Sequence, residues 1–132
     1  MPERERAWAC RGVRGAVAVG DEDGALEGAV GELLLQLLRR NEASAEDVAA
    51  AIFTIPEDLR GLNPAAAARA CGFEAVPLLA VREHGGDQRV GRCLRVLLLL
   101  NTPRRQEEVR HAYLGEAAVL RPDLVGVPEV GR

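Results

Sequence analysis

Cys93-Leu94-Arg95-Val96-Leu97-Leu98-Leu99-Leu100 is an apolar run with a charge inside it. Read as a strand with alternating faces, the run places Arg95 on the same face as Cys93, Leu97 and Leu99. A guanidinium keeps its charge in a protein, so it must be paired or aimed at an anion. Two more apolar runs carry charge in the same way. Val76-Pro77-Leu78-Leu79-Ala80-Val81-Arg82-Glu83 ends on Glu83, and Arg14 interrupts Arg11-Gly12-Val13-Arg14-Gly15-Ala16-Val17-Ala18-Val19. Three charged side chains in three core strands point to a site for a small polyanion. For Arg95 and Glu83 the residues alone favour a simple ion pair across adjacent strands.

Around these runs the other elements follow from periodicity and punctuation. Leu26, Val30, Leu33, Leu34, Leu37 and Leu38 recur at helical spacing and predict an amphipathic helix from Glu22 to Asn41. Ser44-Ala45-Glu46-Asp47 has capping-box spacing and predicts a short turn, and Val48 to Ile55 reads as a buried strand. Pro64 at a first helical position and Gly72 just past Cys71 delimit a short helix. From Pro103 to Leu120 periodicity favours helix, with a short strand over Arg110 to Leu114 as the alternative. The organisation is a polar extension over residues 1–9, one domain over 10–124 and a mobile tail over 125–132. The fold class is α/β (α+β), a sheet of about five strands with helices on one face. The other face is also apolar and little chain remains to cover it, so subunits are expected to associate through their sheets.

Composition excludes several classes of function. The chain has 132 residues, 48% of them apolar, enough for one self-supporting core built from Ala, Val and Leu. All 17 basic residues are Arg, dispersed along a chain of net charge −3, which argues against a nucleic-acid stripe. Cys10, Cys71 and Cys93 form neither a disulfide framework nor a CxxC site and are expected to be reduced core thiols of a cytoplasmic protein. His84 and His111 lack partners at metal-ligand spacing, so no metal is expected. No segment reads as a signal peptide or a membrane span.

Arg11-Gly12-Val13-Arg14-Gly15-Ala16, Phe53-Thr54 through Glu57-Asp58-Leu59, Pro64-Ala65 with Arg69, and Val76-Pro77-Leu78 with Glu83 are followed by Arg95-Val96-Leu97, Arg110-His111-Ala112-Tyr113-Leu114 and Leu120-Arg121-Pro122-Asp123-Leu124. In this order and spacing, from Cys10 to Leu124, the chain resembles the small trimeric monofunctional chorismate mutases of the AroH class. The resemblance implies a pseudo-α/β-barrel homotrimer with sites at subunit interfaces. The activity implied is the Claisen rearrangement of the dianion chorismate to prephenate, a step of aromatic amino acid biosynthesis that uses no cofactor. By the same resemblance Arg95 would reach the ether oxygen and a carboxylate, and Glu83 would accept a hydrogen bond from the ring hydroxyl. Arg14 and Tyr113 would hold a carboxylate, Arg69 would come from the neighbouring subunit, and Arg121 would stand at the mouth of the site. Leu79 and Ala80 would contribute backbone contacts.

Asn63, Ala66 and Ala80 depart from the family's usual aromatic, lysine and cysteine, which bears on substrate affinity. A rearrangement of this kind needs no nucleophile or proton transfer, in keeping with a chain that has no evident triad or dyad. It needs clamps that select a compact conformer and a fixed cation where charge develops. The rival readings are a non-catalytic ligand-binding trimer of the same fold and a small trimeric enamine/imine deaminase.

Overall fold

The computed structural model describes residues 6–85 and 90–120. In chain order the elements are β1 (Ala9–Ala18), α1 (Ala25–Arg40), β2 (Val48–Ile55), α2 (Pro64–Ala68), β3 (Leu78–Arg82), β4 (Cys93–Thr102) and β5 (Ala112–Leu114), joined by 3₁₀ turns and, directly after α2, by a π turn at Arg69–Phe73. One sheet holds all five strands in the order β3-β2-β4-β1-β5. The central strand β4 runs antiparallel to β1 and β2, while the outer pairs β2/β3 and β1/β5 are parallel, so the sheet is mixed.

Strand alternation separates the two faces of β4. Leu94, Val96, Leu98 and Leu100 are at most 4% exposed, whereas Leu97 on the opposite face is 38% exposed. The buried face is covered by α1, which turns Leu26, Val30, Leu33, Leu34 and Leu37 onto the sheet. Each such leucine contributes about 1.5–3 kcal/mol of burial, and together they far outweigh the roughly 2 kcal/mol that the helix's two internal glycines remove. The helix begins at Ala25 and not at Glu22, because Gly24 is in the left-handed conformation at φ 82°. Close approach to the sheet needs Gly15: a Cβ there would lie 2.8 Å from Leu37 Cδ1 and 3.1 Å from Leu33 Cδ1 and Val96 Cγ1. The departure at Asn63 has a structural role, since its side chain accepts the Ala66 N–H at 3.0 Å and caps α2, with Pro64 at the first helical position.

The stretch from Pro103 to Leu120 corrects the helix that periodicity favours there. It forms 3₁₀ turns at Gln106–Glu108 and Gly115–Leu120, with β5 between them pairing alongside β1. The buried side chain of Asn41 accepts the Arg110 N–H at 2.8 Å and donates to the Arg110 carbonyl at 2.9 Å, taking the two backbone groups a helix would use. A second donation from the same amide to the Leu37 carbonyl, at 2.8 Å, ties this segment to the end of α1. Asn41 carries no periodic signal, so sequence reading passed over it.

Two of the three cysteines also depart from expectation. Cys93 is buried, but Cys10 and Cys71 are exposed. The sheet face opposite α1 is partly covered at one end by the Gly115–Leu120 turn, where Ala16, Val90, Cys93, Ala117 and Leu120 form a small second core. Among the described residues nothing covers the rest of that face, with Leu79 62% and Val81 41% exposed. Among the described residues no helix is long and apolar enough to cross a membrane. Arg121 and the tail over 125–132 lie outside the described residues, as do the first five residues of the extension.

Candidate active site

Strand register assembles the site on the open face. Thr54 pairs with Val81 on one side and Arg95 on the other, and Ala16 pairs with both Arg95 and Tyr113. One row across the sheet therefore reads Val81, Thr54, Arg95, Ala16, Tyr113. The row beside it reads Leu79, Ile52, Leu97, Arg14. With strands about 4.8 Å apart, Arg95 and Tyr113 stand roughly 10 Å from each other over the small side chain of Ala16. A cleft of about 430 Å³ opens there, lined by Arg14, Ile52, Thr54, Arg95, Leu97 and Tyr113, with Leu120 at its side.

Arg95 is the electrostatic centre of this cleft. Its Nε lies 3.4 Å from Glu83 Oε1, and Thr54 Oγ1 donates to that same oxygen at 2.9 Å. The Glu83 backbone N–H is anchored on the Ile55 carbonyl at 3.0 Å, which extends the β2/β3 pairing far enough to deliver the carboxylate. β2 lies between β3 and β4, so the pair spans an intervening strand and not two adjacent ones. Arg95 Nε and Nη2 are both buried and have no hydrogen-bond acceptor among the described residues. Leaving such charged donors unbonded is costly, and the arrangement suits an incoming anion. Burial pushes the neighbouring Cys93 thiol up in pKa, against the opposing pull of Arg95.

Arg14 and Tyr113 reach the cleft from the other side. The Arg14 backbone N–H donates to His111 Nδ1 at 2.9 Å, linking β1 to the residue that precedes β5. His111 is held in turn by Arg40, whose Nη1 donates to the His111 carbonyl at 3.0 Å. Tyr113 packs on the small core of Ala16 and Leu120, so its ring is fixed from beneath.

A family model described as chorismate mutase type I matches residues 10–124. The chain belongs to that family. It is 49% identical over 116 residues to chorismate mutase AroH of Thermus thermophilus, covering 86% of this chain and 95% of that protein. Its identity to chorismate mutase AroH of Bacillus subtilis (strain 168) is 33%, over 86% of this chain and 91% of that one. Among solved structures, a chorismate mutase from Clostridium thermocellum superimposes with a TM-score of 0.76 at 29% identity, covering 82% of this chain and 97% of the other. The mixed five-stranded sheet with its helices is thus a chorismate mutase fold.

Of the site residues expected of a chorismate mutase, Arg14, Glu83, Arg95 and Tyr113 converge on one place. Arg69 does not join them. It is exposed at the end of α2 and absent from the cleft lining. Leu79 and Ala80 lie on the edge strand β3, also outside the lining, with Ala80 bordering a separate shallow hollow beside Val81 and Arg82. Thr54 and Ile52 line the cleft without having been assigned a role from sequence. Only the β2/β4 register brings Thr54 opposite Arg95, and register is not readable from composition.

Proposed function

We propose that the chain catalyses the rearrangement of chorismate to prephenate in the cleft around Arg95, working in aromatic amino acid biosynthesis as a homotrimer. The observation that carries this reading is the pair of buried Arg95 N–H groups that, among the described residues, lack an acceptor beside the Glu83 carboxylate. In the reaction one carbon–oxygen bond breaks as one carbon–carbon bond forms, and negative charge grows on the ether oxygen. A preorganised guanidinium meets that charge in a half-buried site, where it acts far more strongly than in water. Arg14 and Tyr113 clamp a carboxylate and hold the flexible dianion in its compact conformer. Glu83 accepts the ring hydroxyl. Interactions that strengthen in the transition state raise the rate, and Arg95 is assigned to that kind.

Arg69, Arg121, Leu79 and Ala80 complete the site in this reading. The exposed position of Arg69 fits delivery to a neighbouring subunit, and Arg121 is assigned to the mouth by its match to a family arginine. Leu79 and Ala80 offer backbone groups from the free edge of β3. The exposed Leu79, Val81 and Leu97 supply an apolar surface for trimer contacts. The three free cysteines fit a cytoplasmic setting.

Loss of chorismate absorbance with purified protein tests the activity, and prephenate should appear in equal amount. A folded preparation without turnover would favour the non-catalytic reading. The shared site is tested by mixing Arg69→Ala subunits with Arg14→Ala subunits. Mixed trimers should recover part of the activity, and verified mixtures that recover none would place the two residues otherwise.

A further inference from the structure

We infer that Thr54 is a positioning residue whose hydroxyl holds Glu83 back from Arg95, so that the guanidinium keeps its N–H groups for substrate. This inference rests on the roles given above to Arg95 and Glu83. Thr54 stands on β2, between the strand that leads into Glu83 and the strand that carries Arg95. Its Oγ1 donates to Glu83 Oε1 at 2.9 Å, whereas the same oxygen is 3.4 Å from Arg95 Nε and not aligned for a hydrogen bond.

That loose geometry is unusual for the two groups concerned. Left to themselves, a carboxylate and a guanidinium close to about 2.7–2.9 Å, often through two parallel bonds. Here the side chains are only 13% and 34% exposed, so solvent does little to weaken their attraction. The competing donor is Thr54. As a β-branched residue it has a stiff χ1, so the direction of its hydroxyl is set by the strand. It spends its one proton on the oxygen that faces Arg95. Without that proton the carboxylate would turn fully onto the guanidinium, and substrate would have to displace it.

Thr54→Val removes the donor and keeps both shape and strand preference, while Thr54→Ser keeps the hydroxyl. Thr54→Val should lower kcat/KM by about ten- to a hundredfold, the scale of one charged hydrogen bond. Most of the loss should fall in kcat, because Arg14 and Tyr113 still hold the ground-state carboxylate. Thr54→Ser should restore activity to within about threefold of wild type, since it restores the charged hydrogen bond itself. The readout that needs no turnover is the Arg95 Nε–H proton resonance, which should move downfield in Thr54→Val as the ion pair closes.

Thermal melts accompany each variant, and Thr54→Ala replaces Thr54→Val if the valine disturbs folding. The inference is overturned if the folded variant without a hydroxyl keeps wild-type kcat and KM, if Thr54→Ser is equally impaired, or if the Arg95 resonance stays in place. Wild-type protein without chorismate turnover would instead overturn the activity, and the resonance would still decide the role of Thr54.

Discussion

Replacing Asn41 by alanine tests how the second half of the site is held. The side chain is 3% exposed and makes three close hydrogen bonds, to the Leu37 carbonyl at 2.8 Å and to the Arg110 carbonyl and N–H at 2.9 and 2.8 Å. Each is worth about 0.5–1.5 kcal/mol net, and truncation leaves buried backbone groups without partners. The expected loss is therefore about 2–4 kcal/mol, a large share of the 5–15 kcal/mol by which domains are typically stable. A fall in melting temperature on the order of 10 °C should accompany it. Urea unfolding at matched protein concentration measures the loss, because association would add its own contribution. The kinetic consequence is a raised KM, since Asn41 fixes Arg110 and hence the path into Tyr113. An Asn41→Ala protein within about 0.5 kcal/mol of wild type, the ordinary range for unimportant surface changes, would refute the reasoning.

Gly15→Ala should destabilise by about 1–3 kcal/mol, because the added methyl meets the packed side chains of Leu37, Leu33 and Val96, which must give way; thermal melts of the two proteins decide it. Cys93 should be the last of the three thiols to alkylate at mildly alkaline pH, being buried with its pKa pushed up by burial, while Cys71 reacts early. Mass spectrometry of a labelling time course follows this. The Arg105 backbone N–H, followed by the Arg6 guanidinium, holds the Glu108 carboxyl below the usual carboxylate range. A carboxyl whose pKa is depressed on folding contributes stability above its unfolded pKa and loses it as pH falls through the folded value. Glu108→Gln should therefore flatten the acid limb of a plot of urea midpoint against pH and leave the alkaline limb unchanged.

Much of the fold was legible because its signals are local. Val48–Ile55 formed as read, and the long helix was set by its leucine stripe, starting later where Gly24 adopts a left-handed turn and ending at Arg40 with Asn41 as its cap. The charged residues inside apolar runs were equally visible: Arg14 and Arg95 line one cleft, and Glu83 lies 3.4 Å from Arg95. The segment after Pro103 misled because its apolar spacing fits a helix, while the deciding interaction comes from Asn41, 69 positions from Arg110. Thr54 escaped for a related reason. Its importance lies in standing opposite Arg95, a relation between two strands and not a property of either. Exposure of Cys10 and Cys71 likewise depends on which face of each element is covered.

The central claim is that Arg95 stabilises charge developing on the ether oxygen, and Arg95→Lys tests it most directly. The charge is kept, but a shorter, point-like ammonium cannot contact the ether oxygen and a carboxylate together from one fixed plane. Single-turnover rates and substrate dissociation constants should be measured for this variant beside wild type, with folding checked by circular dichroism. The rate should fall by roughly 10² to 10⁴, at about 1.4 kcal/mol per factor of ten, while the dissociation constant changes much less. A folded Arg95→Lys protein with near-wild-type turnover would contradict the account and leave Arg95 as the ion-pair partner of Glu83.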